Sequence, residues 1–282
     1  MQVLAALCFL VLAHLPPLRG EVVESFQDVP ECLDFFYERM VPKLDAANPN
    51  ATRLCQRFNN SYHFATLYNT NNRIAVYSAY RFQTGGGGGR GHEKCWYIEP
   101  QLVNTSLNAE MEKEQHFRKE HKEPYIGERQ ALNEDYTMLD YDRGHLNPNG
   151  HHTGNSRNAT FTLTNVVPQN HDMNQNAWSK YEQQLTKLFN AQCAQAYVLV
   201  GAIPSKNTWI VKKNKPRINI PDYIWNAYCC LDNNGRPIGS GGATVRNTGG
   251  TYVERCTLWE LKEFLSQYQS PVGELFLNNC GA

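Results

Sequence analysis

The sequence predicts an α+β fold, with a mainly antiparallel central sheet flanked by helices. Several short segments alternate apolar with polar residues and are rich in β-branched and aromatic residues, as strands are. Other segments carry apolar residues at helical spacing. Because the two kinds of segment do not alternate regularly along the chain, an α+β architecture is favoured.

The predicted strands begin with a β-hairpin. The segments SYHFATLY and RIAVYSAYRF flank the turn sequence NTNN, and both alternate apolar with polar residues. Four further strand candidates follow: TFTLTNVV, AQAYVLVGAI, DYIWNAYCCL and GGATVRN.

Four segments are predicted to be helical: ECLDFFYERM, NAEMEKEQHFRKEHK, a stretch from about Asn174 to Phe189, and TLWELKEFLSQY. In the last segment Thr257 and Glu260 have the spacing of a capping box. Its apolar stripe consists of Leu258, Leu261, Leu265 and Tyr268.

The N-terminal residues predict export. The apolar run from Val3 to Leu15 is shorter than the ~20 residues that span a bilayer, and it ends in prolines and Gly20. This pattern is typical of a secretory signal peptide removed near Gly20. We therefore expect a signal peptide over residues 1–20 and one secreted, extracellular domain over residues 21–282, without a membrane span.

Cysteines and glycosylation sequons fit export. Outside the signal, the chain has an even number of cysteines, which favours disulfides in an exported protein: Cys32, Cys55, Cys95, Cys193, Cys229, Cys230, Cys256 and Cys280. The adjacent Cys229 and Cys230 should point to opposite faces of a strand and take different partners. Candidate glycosylation sites are Asn50, Asn59, Asn104 and Asn158.

Bulk charge does not indicate nucleic-acid binding, since 27 basic residues balance 27 acidic ones. The best local basic segment is KNTWIVKKNKPR, for which a solvated loop is the preferred interpretation. The run GGGGG at 85–89 is interpreted as a surface loop.

The segment YDRGHLNPNG, residues 141–150, contains several side chains that could take part in catalysis. Asp142, Arg143, Gly144 and His145 are consecutive, and a polar turn would explain them without chemistry. A histidine beside an arginine also suits chemistry at a phosphate. Imidazole accepts a proton near neutral pH, and a guanidinium binds phosphate oxygens.

Asn174 and Glu182 lie on the predicted helix that follows. Eight residues of helix separate them by ~12 Å of rise and roughly 80° of rotation, so both are not expected to bind one ion directly. If Asn174 binds a metal, Glu182 is placed to hold a coordinated water. A neutral amide ligand suits a hydrated hard cation such as Mg²⁺ and does not suit zinc.

DRGH, followed about 30 residues later by N-x-x-x-W-x-x-x-E, resembles the DNA/RNA non-specific endonuclease family, whose active site is a ββα-metal motif. The segments ALNEDY, FTLTNVVPQ, CWYIEPQL and ELFLNNCG resemble a vertebrate branch of that family. With them the resemblance covers nearly the whole mature chain.

The resemblance implies roles for individual residues. His145 matches the general base, Asn174 the direct ligand of Mg²⁺, and Glu182 the residue that holds metal-bound water. Arg143 matches an arginine near the scissile phosphate, and Asp142 and Gly144 support the motif. The implied cofactor is Mg²⁺, with Mn²⁺ as the alternative, and the implied partners are DNA and RNA without sequence preference.

Two further assignments accompany the resemblance. Lys94 falls where the bacterial relative has a second phosphate-contacting arginine, but a lysine cannot form the same planar, two-pronged contact. Arg90 in the preceding loop is the alternative. Cys256 and Cys280 resemble the positions of a disulfide in the bacterial relative, and a bridge between them would pin the C-terminus.

The favoured function is a secreted, Mg²⁺-dependent, sugar-nonspecific endonuclease that hydrolyses phosphodiester bonds of DNA and RNA. A catalytically inactive nucleic-acid-binding protein with the same fold is the alternative, disfavoured because His145, Asn174 and Arg143 are all present. A zinc site of His145 with His151 and His152 is a weaker hypothesis, since loop histidines without a special role are preferred. Asp172 is interpreted as stabilising the helix N-terminus rather than as a second ligand. The preference between DNA and RNA, and the oligomeric state, are left open.

Overall fold

A computed structural model describes residues 21–44, 50–85, 96–137, 140–269 and 271–281. The expected signal peptide, most of the GGGGG segment, Arg90, Lys94 and Cys95 lie outside these described residues. The predictions that concern them therefore stay predictions.

The regular elements fall into a few long strands, several short ones and mostly short helices. In chain order the strands are β1 (Val22–Val23), β2 (Ala51–Phe58), β3 (Ser61–Asn69), β4 (Ile74–Arg81), β5 (Tyr97–Ile98), β6 (Glu112–Lys113), β7 (Tyr141–His145), β8 (Val166–Asn170), β9 (Gln195–Ile203), β10 (Trp209–Lys212), β11 (Lys215–Asn219), β12 (Tyr223–Leu231), β13 (Pro237–Arg246) and β14 (Glu254–Cys256). The α-helices are α1 (Pro30–Leu33), α2 (Pro100–Val103), α3 (Glu114–Glu120), α4 (Gly154–Ala159), α5 (Ser179–Gln192) and α6 (Leu258–Ser266). A π-helical segment, Met173–Trp178, runs directly into α5.

The central element is an eight-stranded sheet with the order β1-β2-β3-β4-β9-β12-β13-β14. Every pairing in it is antiparallel. The predicted hairpin is its β3–β4 pair, in which Ala65 lies opposite Ala79. The α+β prediction, with a mainly antiparallel sheet flanked by helices, is confirmed.

The sheet separates two hydrophobic cores, because successive side chains of a strand point to opposite faces. In β9, Val198 and Val200 belong to one core, whereas Leu199 and Ile203 belong to the other. The first core includes the apolar stripe of α5: Tyr181, Leu185 and Phe189. The second includes that of α6: Leu258, Leu261 and Leu265. The candidate site residues therefore lie on one face, and the opposite face is covered by α6 and the N-terminal segment.

The adjacent cysteines of β12 follow the same alternation. Cys230 points to the first core and is bonded to Cys193, the residue directly after α5. Cys229 points to the second core and is bonded to Cys280 near the C-terminus. The prediction that the two cysteines take different partners on opposite faces is confirmed. A further bridge, Cys32–Cys55, ties the N-terminal segment to β2.

The predicted Cys256–Cys280 bridge is wrong. Cys256 lies on the edge strand β14 opposite Gly242 and has a free thiol. Cys280 instead lies against Gly239, three residues further along β13, with its Sγ 3.9 Å from the Gly239 carbonyl oxygen. Three strand residues span ~10 Å, beyond the Cα separation of ~4.4–6.8 Å that a disulfide allows.

Several element boundaries differ from the predictions. The capping box of α6 is present as expected, with Thr257 and Glu260 bonded to each other. ECLDFFYERM forms only α1 and a separate 3₁₀ turn, and TFTLTNVV becomes a strand only from Val166. The basic segment predicted as a loop is the β10–β11 hairpin, and its Arg217 donates to the buried Asp135 at 2.8 Å.

The sequons differ in accessibility. Asn50, Asn59 and Asn104 are exposed, whereas Asn158 is partly buried on α4. All four remain glycosylation candidates. No helix among the described residues is long and apolar enough to cross a membrane.

We expect the Cys229–Cys280 bridge to carry a large part of the stability. Its 51-residue separation corresponds to a chain-entropy contribution of about 4 kcal/mol. Replacing both cysteines by alanine should lower the free energy of unfolding by about that amount. The matched control, Cys256→Ser, should cost under ~1 kcal/mol, because it removes no bridge. Urea denaturation measures both, and peptide mapping that recovered a Cys256–Cys280 link would contradict this assignment.

Candidate active site

The segment DRGH lies in a two-stranded ribbon that leads into a helix. Strand β7 pairs antiparallel with β8, with Arg143 opposite Pro168 and His145 opposite Val166. The chain then enters the π-helical segment and α5. The intervening residues 146–165, which include α4, connect the two strands. This order of two strands and a helix is the ββα arrangement that the resemblance implied.

Gly144 is required by close packing inside the ribbon. A Cβ at this position would lie 2.0 Å from Cδ and 2.3 Å from Cγ of Gln169, whose side chain is fully buried. No other residue therefore fits between Arg143 and His145 without displacing Gln169. The glycine therefore lets the Gln169 side chain of β8 pack directly against β7 inside the ribbon.

An open cavity of about 750 Å³ contains the residues that the sequence singled out. Its walls include Asp142, Arg143, His145, Asn174 and Glu182. Side chains separated by up to 40 positions in the chain thus share one cleft. Their functional roles remain predictions at this point.

His145 is held between aromatic rings. Its ring centroid lies 5.3 Å from that of Trp96 and 5.1 Å from that of Phe161. Its Nε2 is buried and has no hydrogen-bond partner among the described residues. Burial lowers the pKa of His145 to about 4, because the charged imidazolium loses its hydration. The ring is therefore neutral at physiological pH, with its Nε2 uncommitted.

Asp142 fixes the orientation of Asn174. The side-chain amide nitrogens of Asn174 and Gln175 donate to Asp142 Oδ2 at 2.7 and 2.8 Å, and His171 contacts Oδ1 at 3.0 Å. Burial alone would raise the pKa of Asp142, but the hydrogen bonds from Gln175, Asn174 and His171 hold it below its ordinary value. An ionised carboxylate only accepts, so Asn174 must present Nδ2 to it. The amide oxygen of Asn174 is thereby left for another partner.

Glu182 is a partly buried residue on α5 that lines the cavity. Burial raises its pKa to about 8, and no positive side chain of the described residues pairs with it. An uncompensated carboxylate in such a position favours either a proton or a cation. The amide oxygen of Asn174 and the carboxylate of Glu182 are hard oxygen donors, and they fit Mg²⁺ or Mn²⁺ better than zinc.

Arg143 lies between two aromatic rings. Its guanidinium carbon is 5.5 Å from the Trp96 centroid and 5.4 Å from that of Tyr136. One Nη2–H donates to the carbonyl oxygen of Asn133 at 3.2 Å. Arg143 also lines the cavity, where its guanidinium could donate to an anionic oxygen.

His151 and His152 do not form a zinc site with His145. His151 contacts the Tyr80 hydroxyl at 2.9 Å and the Glu182 carbonyl oxygen at 3.3 Å, so both of its ring nitrogens are engaged. His152 is buried beside Asn147, with its Nε2 at 2.5 Å from the amide oxygen. No cluster of three histidine, cysteine or acidic residues suited to a metal exists in the part of the chain that the structure describes. Both histidines lie in the connection between β7 and α4, as the preferred interpretation had it, and both are buried.

Asp172 faces away from the cavity. Its carboxylate accepts from the backbone N–H of Gly250 and from the side-chain amide of Asn176, both at 2.8 Å. It ties the start of the helical region to the loop before β14. This agrees with a structural role at the helix start and gives no support to a second ligand.

Several residues that line the cavity were not singled out in the sequence, among them Trp96, Arg157 and Gln175. Arg157 lies on α4 and reaches the cavity with its Nη2 3.4 Å from Asn149 Oδ1. No local pattern marks it, because the fold of residues 146–165 alone brings it to the site. Gln175 could have been noticed as a neighbour of Asn174, and Trp96 as a neighbour of Lys94.

Comparison with known proteins gives a consistent picture. Residues 46–275 match the family model of the DNA/RNA non-specific endonucleases. The chain is 32% identical over 271 residues to the human Endonuclease domain-containing 1 protein, which covers 94% of this chain and 50% of that protein. It is also 26% identical over 200 residues to a nuclease of Nostoc sp., covering 70% and 69% of the two chains. The chain spans about half the length of the first of these relatives. The expected resemblance to a vertebrate branch of the family is confirmed.

One solved structure shows the same fold. A chain of the EndoG/EndoGI complex superposes with a TM-score of 0.52 at 16% identity, covering 71% of this chain and 80% of that one. At this identity the likeness concerns the fold alone.

We expect Gly144→Ala to destabilise the protein by about 1–3 kcal/mol, because its Cβ would overlap the buried Gln169 side chain. Gly239→Ala is the matched control in another strand, where a Cβ meets nothing within 4 Å. Shortening Gln169 to serine should restore part of the stability in the Gly144→Ala background but not in the control. Thermal unfolding of the four proteins measures this, and equal melting temperatures for the two alanine variants would contradict the packing assignment.

Proposed function

The chain belongs to the DNA/RNA non-specific endonuclease family, and we propose that it is a secreted, Mg²⁺-dependent endonuclease that hydrolyses phosphodiester bonds of DNA and RNA. The observation that carries this proposal is the contact between Asp142 and Asn174. It leaves an amide oxygen available in the same cavity as a neutral histidine, an arginine and the carboxyl group of Glu182.

His145 is the proposed general base. His145 lines the cavity, and its neutral ring has an Nε2 without a hydrogen-bond partner among the described residues, so it can take the proton of a water that attacks the phosphorus. Packing by Trp96 and Phe161 holds the ring in place. The aromatic contacts also account for its neutral state, since they exclude the water that would solvate an imidazolium.

Asn174 would hold the metal ion through its amide oxygen, and Glu182 would hold it through an intervening water. The ion would stabilise negative charge on the phosphoryl and leaving oxygens. Asp142 acts as a positioning residue, because its carboxylate accepts from the amide nitrogen of Asn174 and so selects the orientation of that amide. The carboxyl of Glu182, which pairs with no cationic side chain of the described residues, supports a cation in this cavity.

Arg143 is the proposed contact of the scissile phosphate, through charge-assisted hydrogen bonds. Arg157 is a candidate for a second contact from the opposite element, since it lines the same cavity. It joins Lys94 and Arg90, the candidates that the sequence suggested for that contact. The three disulfides among the described residues support an oxidising compartment and hence the proposed secretion.

Plasmid digestion by the purified, secreted protein tests the proposal. Mg²⁺ should support cleavage of single- and double-stranded DNA and of RNA, and EDTA should abolish it. Because the proposed contacts reach only phosphate, cleavage should show no sequence preference and should weaken as salt rises. Binding without cleavage under all metal conditions would instead favour the inactive binding protein.

We expect His145→Ala and Asn174→Ala to fail in different ways. His145→Ala should lower the rate by roughly 10²–10⁴-fold at saturating Mg²⁺, because only the base is removed. Asn174→Ala should raise the Mg²⁺ concentration needed for half-maximal rate. Asn176→Ala, on the same helical segment but bonded to Asp172 outside the cavity, is the control and should behave like the parent. Metal titrations of initial rates distinguish these outcomes, and a fully active His145→Ala protein would refute the assignment.

We expect Asp142→Asn to weaken metal dependence as Asn174→Ala does, although Asp142 is not a proposed ligand. An amide at position 142 can donate as well as accept, so it no longer forces Nδ2 of Asn174 toward it. Asp172→Asn, the neighbouring carboxylate that bonds Gly250 and Asn176, should leave the Mg²⁺ titration unchanged. A larger effect from Asp172→Asn would favour Asp172 as the metal-site residue.

The pH profile should reflect the lowered pKa of His145. A base with a pKa of about 4 stays neutral well below pH 6.5, so the rate at saturating Mg²⁺ should change little between pH 7 and about 5.5. His151 has a similarly low pKa, and such groups cost stability as pH falls below ~6.5, where the unfolded chain takes up the protons. Circular dichroism must therefore show that the protein is folded at each pH. A rate that halves near pH 6.5 in folded protein would contradict the buried base.

A further inference from the structure

A second cavity opens beside the candidate active site, and Trp96 lines both. Its volume is about 420 Å³. The rest of its wall comes from α3 and its surroundings: Lys113, Glu114, Gln115, His116, Lys119 and Asn133. Nothing in the proposed chemistry uses this cavity.

The acidic group of this wall is already neutralised. Glu114 is buried, and its Oε2 accepts from the backbone N–H and the side-chain amide of Asn133, each at 2.8 Å. Its Oε1 accepts from Arg118 Nε at 2.8 Å. Glu114 therefore anchors α3 and offers little negative charge to the cavity.

The lysines of the wall are uncommitted. Lys113 and Lys119 are exposed, and neither forms a salt bridge within the described ranges of the chain. Lys113 Nζ lies 6.0 Å from the centroid of Tyr97. The nearby Glu112 is paired with His116 instead. Two positive charges thus face this cavity without an anionic partner, which favours an anionic ligand.

A direct contact joins the two cavities. The carbonyl oxygen of Asn133 accepts from Arg143, and the guanidinium of Arg143 lies over Trp96. Cations therefore stand on both sides of a partly exposed indole. A nucleic-acid strand carries a charge at each nucleotide and a ring that can stack on an aromatic side chain, so it matches this arrangement.

We propose that the second cavity binds the nucleotides next to the scissile phosphodiester, with Lys113 and Lys119 on a phosphate and Trp96 against a base. This inference rests on the proposed nuclease function and adds a binding subsite to it. The subsite favours long substrates over minimal ones and, since phosphate and stacking contacts carry no base code, does so without sequence preference.

The test compares two substrates, a single-stranded 20-mer and bis(p-nitrophenyl) phosphate, which is too small to reach the second cavity. The Lys113→Gln/Lys119→Gln protein should show a KM for the 20-mer raised roughly 5- to 20-fold and an unchanged rate on the small diester. The slope of log KM against log salt should fall by about 0.7 for each lysine–phosphate interaction that the variant removes. Lys262→Gln, on α6 across the sheet, is the control and should match the parent.

An equal drop in rate on both substrates would overturn the subsite, as would an unchanged KM for the 20-mer. A parent protein that cleaves neither substrate would refute the nuclease function itself, which is a different outcome.

An independent observation concerns two buried carboxylates, Glu21 and Glu99. Both are 0% exposed. Oε1 of Glu99 accepts from Gln56, Thr162 and Thr164. The carboxyl groups of Glu21 and Glu99 face each other, and Glu21 also faces the backbone of Arg57, but no cationic side chain of the described residues pairs with either carboxyl. Burial, and then the charge of Glu99, raise the pKa of Glu21. The pair therefore lacks a positive charge.

Glu21 is the residue that follows the expected signal peptide. Its backbone nitrogen donates to Gln101 Oε1 at 2.7 Å, inside the same buried region. Cleavage before Glu21 would convert this amide into an α-ammonium with three N–H donors. Because the nitrogen and the carboxyl carbon of one glutamate are four bonds apart, they lie within ~5 Å of each other.

We infer that the signal peptide is removed between Gly20 and Glu21, and that the freed α-ammonium binds at the Glu21–Glu99 pair as its counter-ion. Export and the stability of the folded protein would then be linked, because the α-ammonium that neutralises the two buried carboxyls forms only when the signal peptide is removed.

N-terminal sequencing of secreted protein should begin at Glu21. A second protein carries Gly-Ser inserted after Gly20, so that its mature chain starts two residues earlier, which sequencing checks. Glu21→Gln/Glu99→Gln should lower the melting temperature of the parent by about 5–10 °C, because it strands a buried ammonium. The same pair of changes should raise the melting temperature of the extended protein, whose carboxylates lack a counter-ion. Shifts of equal sign and size in both, or an N-terminus elsewhere, would overturn the inference.

Discussion

The hydrogen bond from Asn174 to the carboxylate of Asp142 joins the two halves of the ββα unit. Asp142 belongs to β7 and Asn174 to the helical region 32 positions later, so this contact decides how the helix lies over the ribbon. Gln175 and His171 donate to or contact the same carboxylate, which concentrates three partners on one short side chain. A glutamate would move the carboxyl group by a methylene and could not keep all three. The DRGH motif therefore also has a structural role, because its Asp142 holds the helical region against the ribbon.

The sheet explains why this docking is rigid. Its long central strands bury both faces, so one layer of backbone supports two separate cores. Gly144 of β7 and Gln169 of β8 pack against each other inside the ribbon, and their contact leaves no space for a larger residue at position 144. The positions of the side chains that line the cavity therefore depend on packing inside the ribbon. A substitution of Gly144 or Gln169 would alter the cavity although neither residue lines it.

The sequence allowed prediction of the α+β class, the β3–β4 hairpin, the α6 capping box and the residues Asp142, Arg143, His145, Asn174 and Glu182 that share the cavity. These follow from periodicity, from local hydrogen-bond chemistry or from a motif with fixed spacing. It could not place Arg157, because only the path of residues 146–165 brings that arginine to the site. It also misassigned Cys280, because disulfide partners depend on the register between β13 and the C-terminal turn. Neither the path of residues 146–165 nor this register can be read from a local sequence pattern.

The Cys193–Cys230 bridge has a consequence for where the fold can work. It closes the C-terminal end of α5, whose other end carries Glu182 and leads back to Asn174. A helix of 14 residues is ~21 Å long, so a small rotation about an unclamped end becomes a displacement of ångströms at the opposite end. The bridge therefore supports the position of α5, and with it Glu182, from outside the cleft. The same chain folded in a reducing cytosol would keep the DRGH motif but would lack the Cys193–Cys230 bridge that fixes the end of α5. The compartment in which the chain folds therefore matters for the cleft.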